Sequence, residues 1–166
     1  MKVSLFVPCF IDASFPDVGV ALLELLERVG CDVDFPLQQT CCGHPMGNSG
    51  CGKDAVGTEA LRVKNSCGCD YIVAPSGSSV HHLRDHMTAI EPTAQSRAVR
   101  ANTYELVEFL HDVLKVDTFP WAEFPHKVGL PNSCGTLPSF DEILSIRNLC
   151  GAKKGQLELT ELSTLN

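Results

Sequence analysis

Apolar residues near the start of the chain follow two different spacings, and the spacing predicts the elements. "VSLFVP" (3–8) is a short apolar, partly β-branched run, the pattern of a buried strand. Val18, Ala21, Leu22, Leu25, Leu26 and Val29 then recur at i, i+3, i+4 and predict an amphipathic helix. Ser14 is placed to cap it, Pro16 falls in its first turn, and Gly30 fits its stop. "CDVDFP" (31–36) predicts a second strand closed by Pro36. Residues 53–66 predict a helix carrying Ala60, Leu61 and Val63, and "DYIVAP" (70–75) a third strand. Such alternation predicts an α/β fold, a parallel sheet with helices on both faces.

A further helix is predicted over 103–114, with Leu106, Val107, Leu110, Val113 and Leu114 on its buried side, completing a first unit over 1–116. Residues 117–126, with two prolines and Trp121, read as a connector. The pattern then restarts. "KVGLPNSC" (127–134) leads a strand into a cysteine, as "VSLFVPC" does, and Ser139 with Glu142 forms a capping box for a helix through Ile143, Leu144 and Ile146. Phe35 lies 26 residues after Cys9, and Leu159 lies 25 after Cys134. Residues 127–166 therefore read as a partial second repeat, packed with the first as one globular unit. A second vicinal cysteine pair would fall near position 166, where this sequence stops, so a second site is not expected to be completed by this chain alone.

Composition narrows the class. At 166 residues, 44% hydrophobic and 20% charged, the chain has the make-up of a globular domain. A net charge of −7 argues against nucleic acid as a partner. No apolar run approaches the ~20 residues that span a bilayer. "MKVSLFVPCF" reads as a first strand and not as a secretory signal, which predicts a cytoplasmic protein.

In a reducing compartment, nine cysteines point to metal or redox chemistry more than to a disulfide framework. Cys31, Cys67, Cys69 and Cys150 read as small buried hydrophobes. The stretch "TCCGHPMGNSGCG" (40–52) reads differently. Neighbouring Cα atoms are ~3.8 Å apart, below the usual ~4.4–6.8 Å of a disulfide, so Cys41 and Cys42 are suited to gripping a metal centre. Gly43 lets the backbone pass close to it. Ligands of an open parallel sheet collect beyond the carboxyl ends of its strands. Cys9 follows the first strand, Cys41 and Cys42 lie beyond the second, and "PSGSS" (75–79) follows the third. Three thiolates are thus expected at one crevice, with a fourth position somewhere in 76–82. Iron–sulfur clusters and zinc both use such ligands. The chain has neither the C-x₂₋₄-C pairs of structural zinc sites nor a ferredoxin-type C-x₂-C-x₂-C run.

"PCFID" (8–12), "GCDVDFPLQQTCCGHPMGNSG" (30–50) and "YIVAPSGSS" (71–79) resemble the CCG, or cysteine-rich, domain family. The closest pattern is that of the small iron–sulfur subunits of bacterial lactate-utilisation complexes; the domain also occurs in the B-type subunit of heterodisulfide reductase. The resemblance implies a duplicated α/β domain, a [4Fe–4S]-type cluster, and electron transfer in the oxidation of L-lactate to pyruvate or of a related 2-hydroxy acid. It also implies ferredoxin-like partner subunits. Carried over by position, Cys9, Cys41 and Cys42 match the first-repeat ligands and Cys134 the first cysteine of the second. Gly43, Pro75, Ser76, Gly77 and Ser79 would shape the pocket.

One departure stands out. Relatives have cysteine where this chain has Ser79, and the next member of their C-x₂-C form falls at His82. Serine is a weaker donor than thiolate, whereas neutral imidazole is a good one. A cluster with an unusual fourth ligand, a cluster with an open iron, and a lost site all stay open. So do the other readings: a degenerate domain acting in assembly or zinc binding, and a thiol/disulfide redox protein like heterodisulfide reductase. His81, His82 and His86 otherwise read as helix surface. The chain lacks a G-x-S-x-G elbow and a G-x-x-x-x-G-K-[ST] phosphate loop, which argues against hydrolysis and nucleotide binding.

Overall fold

The computed structural model describes residues 1–66, 68–116 and 118–122. Cys134, the predicted second repeat and much of the predicted connector lie outside them, as do Cys67 and Cys150. Met1–Leu106 form one compact unit, and the chain from Val107 belongs to a second.

The first unit is built on four parallel strands: β1 (Lys2–Leu5), β2 (Asp32–Asp34), β3 (Tyr71–Ala74) and β4 (Thr103–Glu105). They lie in the order β2-β1-β3-β4. Val3 stands opposite Val33 on one side and Tyr71 on the other, and Ile72 opposite Thr103. Consecutive residues Val3, Ser4 and Leu5 are buried, and so are Ile72, Val73 and Ala74. These central strands are covered on both faces, which is why they read as continuous apolar runs and not as alternation.

Helices α1 (Cys9–Ser14) and α2 (Pro16–Arg28) join β1 to β2. Helices α3 (His44–Asn48) and α4 (Val56–Asn65) join β2 to β3. Helix α5 (Gly77–His81), the π-helical turn His82–His86 and α6 (Ala94–Ala101) join β3 to β4. β2 lies to one side of β1 while β3 and β4 lie to the other. Right-handed crossovers therefore send α2 to one face and α4 with α6 to the opposite face. The α/β architecture expected from the sequence is the one observed. Phe6, Val63, Ile72, Ala74, Val80, Leu83, Met87 and Val99 form the core on one side of the sheet, together with Cys42.

Three local expectations are corrected. Ser14 ends α1 and does not cap α2, which starts behind Phe15 without a side-chain cap and with Pro16 fixing its first φ. The buried face of α2 is Gly19, Leu22 and Leu26, while Val18 and Ala21 are exposed. A Cβ on Gly19 would meet both Val7 methyl groups at 3.3 Å, so the helix lies against the β1 exit at this residue and turns Val18 outward. Residues 103–105 are strand and not helix. Thr103 and Tyr104 pair with β3, and the Tyr104 ring meets Tyr71 edge-on at 5.7 Å. The predicted helix starts only at Leu106 and turns π-helical over Phe109–Val113.

Candidate metal centre

The strand order reverses direction between β1 and β3, one neighbour lying to each side of β1. At such a switch point the loops after the two strands diverge and leave a crevice beyond their carboxyl ends. The loop after β1 brings Cys9 there, and the loop after β3 brings Pro75–Ser79.

Gln39 holds the third contributor in place. Its Oε1 accepts from the Val7 N–H at 3.0 Å, and its Nε2 donates to the Leu5 carbonyl at 2.8 Å. The amide stands in for a strand partner beyond the end of β1, which fixes the approach to Cys41 and Cys42 against the Cys9 loop. Asn65 adds a bond to the Gln38 carbonyl at 3.1 Å. Gly43 follows with φ 94°, a left-handed conformation that turns the chain into α3.

Cys9 is exposed, Cys41 half-buried and Cys42 buried. The Cys41 thiol neighbours both Cys9 and Cys42, close enough to act on their ionisation. Desolvation and then the neighbouring thiols push the Cys9 thiol above its ordinary range. Desolvation does the same to Cys42, opposed by the nearby His44 N–H and Ser79 hydroxyl. Ser76 donates to Ser79 at 3.2 Å, next to Cys42. Both serines are buried, while Pro75 and Gly77 are half-buried. Cys9 and Cys42 each resist ionising here, and a cationic centre removes that penalty by replacing their protons.

Histidines 81 and 86 face solvent as expected, but His82 does not. It is 3% exposed, and its Nε2 has no hydrogen-bond partner among the described residues. The ring lies under the CCG turn: a Cβ on Gly43 would stand 3.0 Å from His82 Nε2, and one on Gly47 would stand 2.9 Å from His82 Cε1. Both glycines thus make room for an imidazole, a role the sequence pattern does not announce. Burial, then the neighbouring histidines 44, 86 and 81, hold His82 down at about 4, so it is neutral at pH 7.

A stability test follows. The unfolded chain protonates His82 near its usual value of about 6.5 while the folded chain does not, so folding stability is full above that value and falls on acidification toward 4. From pH 7 to pH 5 this residue is expected to cost the unloaded protein about 2 kcal/mol. Urea midpoints at the two pH values measure the loss, and His82→Leu should remove this share of it. An equally steep loss in His82→Leu would show that the imidazole is not the titrating group.

Residues 3–84, which span this whole site, match the family model described as a cysteine-rich domain, CCG. They belong to the CCG family. Lactate utilization protein A of Geobacillus kaustophilus (strain HTA426) is 48% identical over 121 residues, 70% of this chain and 51% of that protein. The protein of that name from Geobacillus thermodenitrificans (strain NG80-2) is 44% identical over 138 residues, 81% of this chain and 57% of its own. That of Halalkalibacterium halodurans is 48% identical over 120 residues, 70% of this chain and 49% of its own. The chain spans about half the length of these curated relatives. No solved structure matches it.

The CCG domain carries one further group that periodicity missed. The buried face of α4 is Glu59, Arg62 and Val63, while Ala60 is exposed. Glu59 accepts from the Ala89 and Ile90 N–H groups at 2.8 and 3.1 Å, tying α4 to the loop after the π-helical turn. Arg62 is 4% exposed, its guanidinium 3.8 Å above the Phe6 ring, and its Nη1 has no partner among the described residues. Burial pushes its pKa down to about 10, and the charge of Cys42 acts in the opposite direction. A buried cation with a free donor beside a thiol site is suited to an anionic group. Among the described residues, no three Cys, His, Asp or Glu side chains are positioned to hold a single metal ion. Also among them, no helix is long and apolar enough to cross a membrane.

Proposed function

We propose that this CCG domain holds an iron–sulfur cluster, of [4Fe–4S] type, on Cys9, Cys41 and Cys42, and passes electrons in the oxidation of L-lactate or a related 2-hydroxy acid. The observation that carries the reading is the meeting of these three thiols at the switch point of the sheet. A cluster spans several iron atoms, so its thiolates need not share one ion. Zinc, the alternative, needs four donors around one ion, usually cysteine with histidine. Arg62 supplies a buried counter-charge to an anionic core, and Gly43 and Gly47 leave room for His82 beneath the CCG turn. His82 offers a neutral, unpartnered Nε2 near Gly43, and Ser79 a hydroxyl beside Cys42. Either fits the remaining ligand position.

When bound, the cluster supplies one-electron transfer. The protein's own share is to gather thiolates, exclude water at Cys42, and balance charge with Arg62. Oxidation of lactate to pyruvate releases two electrons and two protons, so a one-electron carrier needs a donor and an acceptor partner. We accordingly assign the chain to a multi-subunit oxidoreductase with ferredoxin-like partners, in the cytoplasm. Cys134 is assigned as the opening ligand of a second repeat over 127–166.

Anaerobic reconstitution with iron and sulfide tests the reading. The expected product is brown, with iron and sulfide bound in equal amounts. A colourless protein sinks it. Ser79→Cys is expected to raise iron retention under chelator challenge about tenfold, because Ser79 lies beside Cys42 and thiolate is the better donor. Unchanged retention would show that position 79 is not beside the iron.

A further inference from the structure

The π-helical turn after α5 sets up a second donor group on the surface, independent of the cysteines. We propose that His81 and His86 form a two-imidazole chelate for a divalent transition ion of the nickel, cobalt or zinc class. The helix geometry explains the pairing. Residues five apart point well away from each other on an α-helix, but the wider π turn over His82–His86 brings them to one side. The two Nε2 atoms stand 3.2 Å apart, with the rings edge to face at 4.9 Å. Metal–imidazole bonds of about 2.1 Å require nitrogens about 3.0 Å apart in a cis-octahedral site and about 3.4 Å in a tetrahedral one. The observed separation falls between them.

Asp85 completes the arrangement. Its Oδ2 lies 3.0 Å from His81 Nδ1, one turn along the helix. Neutral His81 therefore donates Nδ1–H to the carboxylate and keeps its Nε2 lone pair outward, the tautomer a metal ligand needs. Without an ion, His86 donates its Nε2–H to that lone pair; with one, His86 takes the Nδ1–H tautomer and no net proton is released. The pair holds two coordination positions and water fills the others. Arg84 adds positive charge next to Asp85, so coordination and not the local field selects the ion; hard cations such as calcium are excluded by the nitrogen donors.

Calorimetric titration of the full unloaded chain with Ni²⁺ tests the assignment. A site is expected that His81→Ala and His86→Ala each weaken at least tenfold, and that Asp85→Asn weakens about tenfold by releasing the tautomer. His111→Ala is the control, because His111 has a carboxylate partner in Asp112 at 2.7 Å but no second imidazole in reach among the described residues. All these side chains face solvent, and circular dichroism verifies the fold of each variant. Ni²⁺ isotherms unchanged by His81→Ala and His86→Ala, or equally weakened by His111→Ala, overturn the proposal. So does a thiolate-to-nickel charge-transfer band that accounts for all the bound ion.

Discussion

Replacement of Cys42 by alanine is expected to abolish iron retention after anaerobic reconstitution while the fold survives. Cys42 is the buried member of the trio, 6% exposed and packed in the core with Phe6 and Val63. The His44 N–H and the Ser79 hydroxyl lie beside its sulfur and favour the thiolate. Losing it removes the one ligand already shielded from water and leaves Cys9 and Cys41, which are too few for a cluster. Truncation to alanine in a core costs about 1 kcal/mol for so small a group, so circular dichroism should change little. Cys31→Ala is the matched control. Cys31 is equally buried, but it precedes β2, at the opposite end of the sheet from the crevice. Iron and sulfide analysis of both variants decides the matter. Full iron content in Cys42→Ala would remove the cysteine pair from the site.

Arg62→Met is expected to separate stability from iron retention. In the unloaded chain Arg62 is a buried cation whose Nη1 is unpaired among the described residues, a group whose replacement by an apolar side chain of similar length is often neutral or stabilising. Methionine also keeps much of the contact with Phe6. The unloaded urea midpoint should therefore stay level or rise. The loaded protein should behave in the opposite way. A hydrogen bond to a charged group is worth about 1.5–3 kcal/mol, so losing it speeds iron release to a chelator about tenfold to a hundredfold. Arg62→Lys, which keeps the charge but not the fork of donors, should fall between the two. Equal rates of iron loss, coupled with a lowered unloaded midpoint, would make Arg62 a packing residue and nothing more.

Both outcomes depend on side chains that the sequence pattern treats very differently. Cysteine 42 is conspicuous because two adjacent thiols before a glycine have few uses. Arg62 is not, because a charged residue in an amphipathic helix ordinarily faces water. Its burial follows from Phe6, whose ring covers the guanidinium from 56 positions away in the chain. The same holds for Glu59, which looks like a solvated carboxylate until Ala89 and Ile90 present their N–H groups to it. His82 looks like one of three surface histidines until the two glycines of α3 and its cap leave a space for its ring.

What the sequence by itself determined is therefore the local order: strand and helix in alternation, strands covered on both faces, and cysteines just past strand ends. These are short-range properties, since the period of apolar residues and the conformational limits of Gly and Pro act within a few positions. The strand order, the conversion of 103–105 from helix to strand, the outward turn of Val18 and the inward turn of Glu59, Arg62 and His82 were decided only by the tertiary structure. Each requires a partner tens of residues away that satisfies a polar group or excludes a side chain, and the burial of a charge is settled by that partner and not by its neighbours in the chain.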